Sequence, residues 1–394
     1  MSTTTLHLLG IFHTQLNDEF SHCAFSGKAR RFAKMMRPLG YKVVTYCNEG
    51  SVTESDEQVT ILTAKEFERF YPRTKATDFV GNYAVIGERG WPTFHGRLIE
   101  QLHKRLQPGD VVCHPFGKAH EELVKIFPNH PHVETGIGYG DEPFGCWRIF
   151  ESEAWRHWHW GWSESKGTHK EDKGMNRIYS WVIPNYFDLG DWPFSDGTQG
   201  DDSVLFMGRI GALKGTITIA ETIRALAQER KLVKFVFAGQ GDFEGEVMKH
   251  VLKDPKPDEK YLDIEYVGPV TGARRAELMG RARCCILASN FIEPFAGSVV
   301  EGMLCGTPAI GPNFGAFTET IKPGFNGYRC NTLGDYMAAI EACKKLERVI
   351  VASHARSLYS LEAVGPLYHA AFQQILEIGN GPGWYSKVSH RIKT

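Results

Sequence analysis

Apolar and polar positions along this chain fall into short blocks rather than long stripes. Residues 6–12 form an apolar run that predicts a buried strand. A helical stretch is expected over 24–39, ended by Gly40, with the next strand at 41–47. Further strands are expected at 110–114 and 133–137, while 50–100 can be assigned only loosely. The second half alternates more clearly. Strands are predicted at 203–207, 233–238, 264–267, 284–287 and 309–311, with helices at 216–227, 242–251, 274–280 and 298–305 between them. Strands alternating with helices imply an α/β architecture, a parallel sheet covered on both faces. Ligands of such sheets sit at the carboxyl ends of the strands.

Composition narrows this only a little. The 394 residues are 42% hydrophobic and 23% charged, as expected for a globular chain of about two domains. The Pro-, Gly- and Asp-rich segment 183–200 marks the junction. With 45 basic and 46 acidic residues the net charge is −1, without the basic surplus of a non-specific nucleic-acid binder. No run approaches the ~20 apolar residues of a membrane helix. Residues 1–17 lack the pattern of an export signal. Nine cysteines with no C-x-x-C pair suggest reduced thiols, so a cytoplasmic location is expected.

The strongest chemical signal is Glu293-Pro-Phe-Ala-Gly-Ser-Val-Val-Glu301, followed by Cys305-Gly-Thr-Pro308. Ala296, Gly297 and Ser298 are small residues where a helix is predicted to begin, and backbone N–H groups there suit an anion such as a diphosphate. Glu301 lies about one turn further on, and helical side chains point back toward the N-terminus. A carboxylate beside a diphosphate suits the hydroxyls of a ribose or sugar. The counter-charge comes from Phe206-Met-Gly-Arg-Ile-Gly-Ala-Leu-Lys-Gly215, which places Arg209 and Lys214 at a strand's carboxyl end.

Together these residues resemble the GT-B nucleotide-sugar glycosyltransferases, close to glycosyltransferase family 4. The family's G-R-x4-K-G loop, A-G-x-G, Y/F-x-G, paired-Glu and G-x-P motifs have counterparts here. They are Gly208-Arg209 with Lys214-Gly215, Ala238-Gly-Gln-Gly241, Tyr266-Val-Gly268, Glu293 with Glu301, and Gly306-Thr-Pro308. Ile183-Pro-Asn185 with Asp188 matches the interdomain I-P-N-x-x-D. The match covers 183–345 and departs at Ala296, where the family usually has Gly.

The resemblance implies two Rossmann-like domains facing across a cleft: residues 1–183 on the acceptor side and 184–360 on the donor side. Residues 361–394 would hold a final helix crossing back, at 361–378, followed by Gly383-Trp384. It implies a retaining transferase in which Arg209 and Lys214 stabilise the leaving diphosphate. Glu293 would hold sugar hydroxyls and Glu301 the ribose. Gly10, Gly208, Gly241, Val270, Phe295, Ala296, Gly297 and Ser298 would complete the donor site. Many relatives carry a His near the reacting sugar after the fourth or fifth strand. Here Val133-Glu-Thr-Gly-Ile-Gly-Tyr-Gly140 has none, leaving Glu134, Tyr139 and His114 as acceptor-side candidates, each with a packing role as the alternative.

No D-x-D triplet occurs, so no metal or other cofactor is expected. The donor partner is a nucleotide sugar; the acceptor could be a glycan, lipid, protein or modified nucleobase. Two other functions stay open: a GT-B nucleotide-sugar epimerase, and a non-catalytic sugar-nucleotide-binding subunit. The tryptophan-rich stretch 147–162 reads either as a core or cleft-wall helix or as an aromatic platform for a sugar. His157 and His159, at i,i+2 on a helix, diverge too far for zinc.

Overall fold

The computed structural model describes residues 3–20, 23–72, 90–145, 147–166, 178–379, 381, 385 and 387. Two compact units emerge, the chain passing from the first to the second after Tyr186 and returning after Ser360, with the short piece Ser152–Trp155 also grouped with the second.

The first unit holds a seven-stranded parallel sheet: β1 (Thr5–Leu9), β2 (Lys42–Cys47), β3 (Glu57–Thr60), β4 (Val111–His114), β5 (His132–Ile137), β6 (Trp147–Phe150) and β7 (Ser180–Val182). Their order is 3-2-1-4-5-6-7. Around them run α1 (Ala24–Met36), α2 (Ala64–Phe70), α3 (Trp91–Arg105) and α4 (Glu153–Ser165).

The second unit's sheet comprises β8 (Val204–Met207), β9 (Val233–Ala238), β10 (Leu262–Gly268), β11 (Cys284–Ile286), β12 (Ala309–Pro312) and β13 (Gly327–Cys330), in the order 10-9-8-11-12-13. Its helices are α5 (Thr216–Gln228), α6 (Gly272–Arg281), α7 (Gly297–Leu304), α8 (Leu333–Ala342) and α9 (Arg348–Tyr359). Helix α10 (Leu361–Gly379) belongs to the first unit, where Val364, Tyr368, Phe372 and Ile375 join the core beside Phe32 and Tyr41. Residues Gly383 and Trp384 lie outside the described residues.

Strands packed on both faces read as near-continuous apolar runs, and β4, β8 and β11 are buried at every residue. In each sheet the strand order reverses once, between β1 and β4 and between β8 and β11. Such reversal points open a crevice at the strands' carboxyl ends.

The structure departs from the sequence expectations at particular places. The strand expected over 6–12 stops at Leu9. The helix expected over 242–251 begins with a wider π-type turn at Glu244–Met248, its start fastened by Asp242, which accepts the Gly245 amide at 2.9 Å. The tryptophan-rich stretch is not one helix, because Trp147 opens β6, where aromatic and β-branched residues fit a pleated surface. Within α4, Trp155 is buried, while Trp158 and Trp162 are half-buried and stack 5.8 Å apart. Among the described residues, no helix is long and apolar enough to cross a membrane. All eight described cysteines are free thiols.

Candidate active site

The second unit's crevice is built from the loops that leave β8 and β11. Beyond β8 the sheet pairing continues, with the Gly208 amide donating to Ala238 and the Ile210 amide to Gln240, each at 2.9 Å. Gly239 lies so close to Gly208 that a Cβ would stand 1.7 Å from the Gly208 carbonyl oxygen. Gly215 is equally constrained. Its φ is +74°, and a Cβ would fall 1.7 Å from the Ala288 carbonyl oxygen. Glycine is therefore what lets the Lys214 turn lie against the end of β11. Asn290 sews the two loops together, donating its amide to Leu213 at 3.0 Å and its side-chain nitrogen to Ala212 at 2.9 Å.

This stitching brings Lys214 onto Glu293. Lys214 Nζ donates to Oε1 at 2.7 Å and Oε2 at 3.0 Å, and stands 4.8 Å from the Phe291 ring centre. The Ser289 hydroxyl donates to the same Oε1. The lysine side chain is 29% exposed and the glutamate 5%. The pair is thus open to solvent from the lysine side. Arg209 is exposed on the same loop.

Helix α7 starts beside this pair. Its N-cap, Ala296, adopts φ 61° and ψ 48°, the left-handed region, and supplies no side-chain hydrogen bond to the first turn. That backbone costs an L-residue roughly 1–2 kcal/mol, which explains why a glycine suits the position. The loop is held by Phe295, whose ring packs on Phe187 and Tyr359 at 6.3 and 5.3 Å. With no capping side chain, the first-turn amides and the positive end of the helix are suited to an anion. Glu301, in the second turn, is engaged by Arg275 of α6.

Gly208, Arg209, Lys214, Gly241, Val270, Glu293, Phe295, Ala296, Gly297, Ser298 and Glu301 therefore all lie in the second unit. Apart from Glu301, within α7, they sit on the loops after β8, β9, β10 and β11 or at the start of α7. Gly10 belongs to the first unit, where its amide donates to Tyr46 at 2.7 Å and its carbonyl accepts from His120 Nε2 at 2.8 Å.

The acceptor-side candidates are engaged within the first unit. His114 is buried, its Nε2 2.9 Å from Nδ1 of His132, and burial holds its pKa well below the ordinary value. Glu134 is fully buried. One oxygen accepts from the Tyr139 hydroxyl and the other from the Gly145 amide at 2.8 Å. Burial pushes the Glu134 carboxyl up, and burial together with Glu134 pushes the Tyr139 phenol up.

Sequence reasoning missed Arg275, Ser289 and a second ion pair. Lys28 of α1 and Glu151 beyond β6 meet with side chains only 3% and 5% exposed. Lys28 also donates to the Gly136 carbonyl at 2.8 Å, and Asn185 donates to the other Glu151 oxygen at 3.1 Å. Partners this far apart in the chain leave no local signal. Among the described residues, no three His, Cys, Asp or Glu side chains are grouped so as to hold a metal ion.

Comparison with known proteins finds similarity over part of the sequence and over the whole fold. Residues 201–348 match the family described as glycosyl transferases group 1. Spore coat protein SA of Bacillus subtilis (strain 168) is 30% identical over 137 residues, 34% of this chain and 36% of its own. Mannosylfructose-phosphate synthase of Agrobacterium fabrum (strain C58 / ATCC 33970) is 27% identical over 168 residues, 39% and 37% of the two chains. The chain thus spans little more than a third of the curated relatives it matches. Solved structures resemble it over nearly its full length. AviGT4, a glycosyltransferase involved in avilamycin A biosynthesis, gives a TM-score of 0.65 at 17% identity over 95% of this chain and 98% of its own. Anabaena HepE, in complex with UDP and glucose, gives 0.63 at 13% identity over 94% and 100%. The fold is that of the GT-B glycosyltransferases, with two Rossmann-like domains. The similarity to glycosyl transferases group 1 is confined to residues 201–348.

Proposed function

We propose that the protein is a retaining glycosyltransferase that moves a sugar from a nucleoside diphosphate to a glycan, lipid, protein or modified nucleobase. The observation that carries this reading is the half-open Lys214–Glu293 pair beside the uncapped start of α7. A diphosphate bearing two or more charges competes with the single Glu293 carboxylate for Lys214. Lys214 then turns to the phosphate, joined by Arg209 and the Gly297 and Ser298 amides. Glu293, steadied by Ser289, is left to accept hydrogen bonds from sugar hydroxyls. As the acceptor's oxygen bonds to the anomeric carbon and the bond from that carbon to the diphosphate breaks, the leaving oxygen takes the electron pair, the acceptor's proton passes to the released diphosphate, and these donors stabilise the growing charge. Glu301 holds the ribose. No side chain is assigned as a nucleophile.

Because Lys214 and Arg209 supply the counter-charge, we propose that turnover needs no divalent ion. A thermal-shift panel of UDP, ADP and GDP tests the donor class, with HepE's UDP the first choice. One of them is expected to raise the melting temperature. The matching nucleotide sugar should then release free nucleoside diphosphate in excess EDTA. No shift with any diphosphate would sink the donor assignment, and full loss of activity in EDTA restored by magnesium would sink metal independence.

A further inference from the structure

Glu301 has a partner that no motif announces. Arg275, in the first turn of α6, donates from Nε to Glu301 Oε2 at 2.9 Å, and from Nη2 to that same oxygen. Oε1 has no hydrogen-bond partner among the described residues. An arginine commonly grips a carboxylate with one N–H per oxygen. Here both donors fall on one oxygen, so the lone pairs of the other remain available. The pair is largely enclosed, with side chains 19% and 15% exposed. The neighbouring Arg274 instead binds Glu277 of its own helix at 2.8 Å, with both side chains close to half exposed.

The placement adds a second reason. Helix α6 begins two residues beyond Val270, on the loop that leaves β10, and Glu301 stands one turn from the start of α7. A lone carboxylate there would repel a diphosphate and could rotate away from a ribose. A guanidinium on Oε2 removes the net charge and stops the rotation.

We propose that Arg275 is the positioning residue for the donor's ribose: by pinning Glu301 through Oε2 it presents Oε1 to the ribose hydroxyls. This rests on the assignment of Glu301 to the ribose of a nucleoside diphosphate. Hydrogen bonds to a charged acceptor are the stronger kind, so wild-type protein should prefer a ribonucleotide over its 2′-deoxy counterpart by about tenfold or more.

The experiment measures dissociation constants for UDP, 2′-deoxy-UDP and inorganic pyrophosphate by calorimetry, with ADP or GDP and its deoxy form replacing UDP if the panel selects that base. The proteins are wild type, Arg275→Gln, Arg275→Lys, Glu301→Gln and the Arg275→Gln/Glu301→Gln double variant. Arg275→Gln is expected to bring the ribo-to-deoxy ratio near one while changing pyrophosphate affinity less than about threefold. Arg275→Lys, with a single point charge, should restore part of the ratio and serves if the glutamine variant folds poorly. Glu301→Gln should cost less in the Arg275→Gln background than alone. An Arg275→Gln protein that keeps the full ratio would reduce the arginine to a tie between two helices. Equal losses for nucleotide and pyrophosphate would place it on the phosphates instead, and either result overturns the proposal. A wild-type ratio near one, or a ratio unchanged in Glu301→Gln, would remove the ribose assignment itself.

Discussion

Each unit carries a buried or partly buried lysine–glutamate pair near the carboxyl ends of its sheet, and the two pairs could hardly differ more. In the first unit Lys28 and Glu151 are enclosed, and they also bond Gly136 and Asn185 respectively. In the second unit Lys214 meets Glu293 with its ammonium partly in water. The contrast extends to neighbouring carboxylates. Both Glu134 oxygens are satisfied inside the first unit, whereas one Glu301 oxygen has no hydrogen-bond partner among the described residues. Sheets of matching strand order thus differ in how far the polar groups at their strand ends are consumed internally. The first unit also buries His7, His95, His114, His120 and His132, while the two histidines of residues 187–360, His250 and His354, are only half-buried.

The sharpest way to break this comparison is to exchange the expected consequences of losing each lysine. Lys28→Met leaves a buried Glu151 without its counter-charge and should destabilise the protein by about 3–5 kcal/mol. Urea unfolding measures it, and an unchanged midpoint would mean that the enclosed pair contributes little. Lys214→Ala also strips a buried glutamate of its lysine, but from the side open to water, so it should destabilise the protein by clearly less than Lys28→Met. Its single-turnover rate with a nucleotide sugar should fall by roughly a hundred- to thousandfold, a loss of ~3–4 kcal/mol in transition-state stabilisation. A near-normal rate would detach the loop from the leaving diphosphate.

A third effect concerns acid. Burial lowers the folded pKa of His120 and His132 to about 4, below the ordinary value of 6.5. As the pH falls, the unfolded chain takes up these protons first. The stability from keeping both rings neutral is thus fully present above about pH 6.5 and is lost toward pH 4. Each ring contributes a slope of up to about 1.4 kcal/mol per pH unit. Peptide-resolved hydrogen exchange at pH 7.5 and 5.0, corrected for intrinsic rates, should show protection falling in β4 and β5 before β8 and β11. Equal loss in both units would contradict a separate acid response of the first.

The same division explains what could be read from the chain. In the second unit most of the candidate site residues lie in two contiguous motifs, 206–215 and 293–301, and Gly215 beside Lys214 is constrained by Ala288, five residues before Glu293. Strand, loop and helix start were legible there together. The first unit spends its polar residues on partners distant in sequence. His7 meets Asp110, and Lys28 meets Glu151, so no local pattern could announce them. Short strands such as β7, three residues long, and β6, inside an aromatic run that also suits a helix, carry too little periodicity to separate the two. Arg275 escaped for a related reason: an arginine in the first turn of an exposed-looking helix gives no sign of the carboxylate 26 positions on that it will meet.

Helix α10 has a consequence for how the protein is made. The first unit's core needs Val364, Tyr368, Phe372 and Ile375, yet the last strand of its sheet ends at Val182. A ribosome adding about 5–20 residues per second takes roughly 10–40 s to travel from the end of the first sheet to this helix. For that interval the second unit can close while the first waits with an apolar face uncovered, so the part translated earlier is finished last.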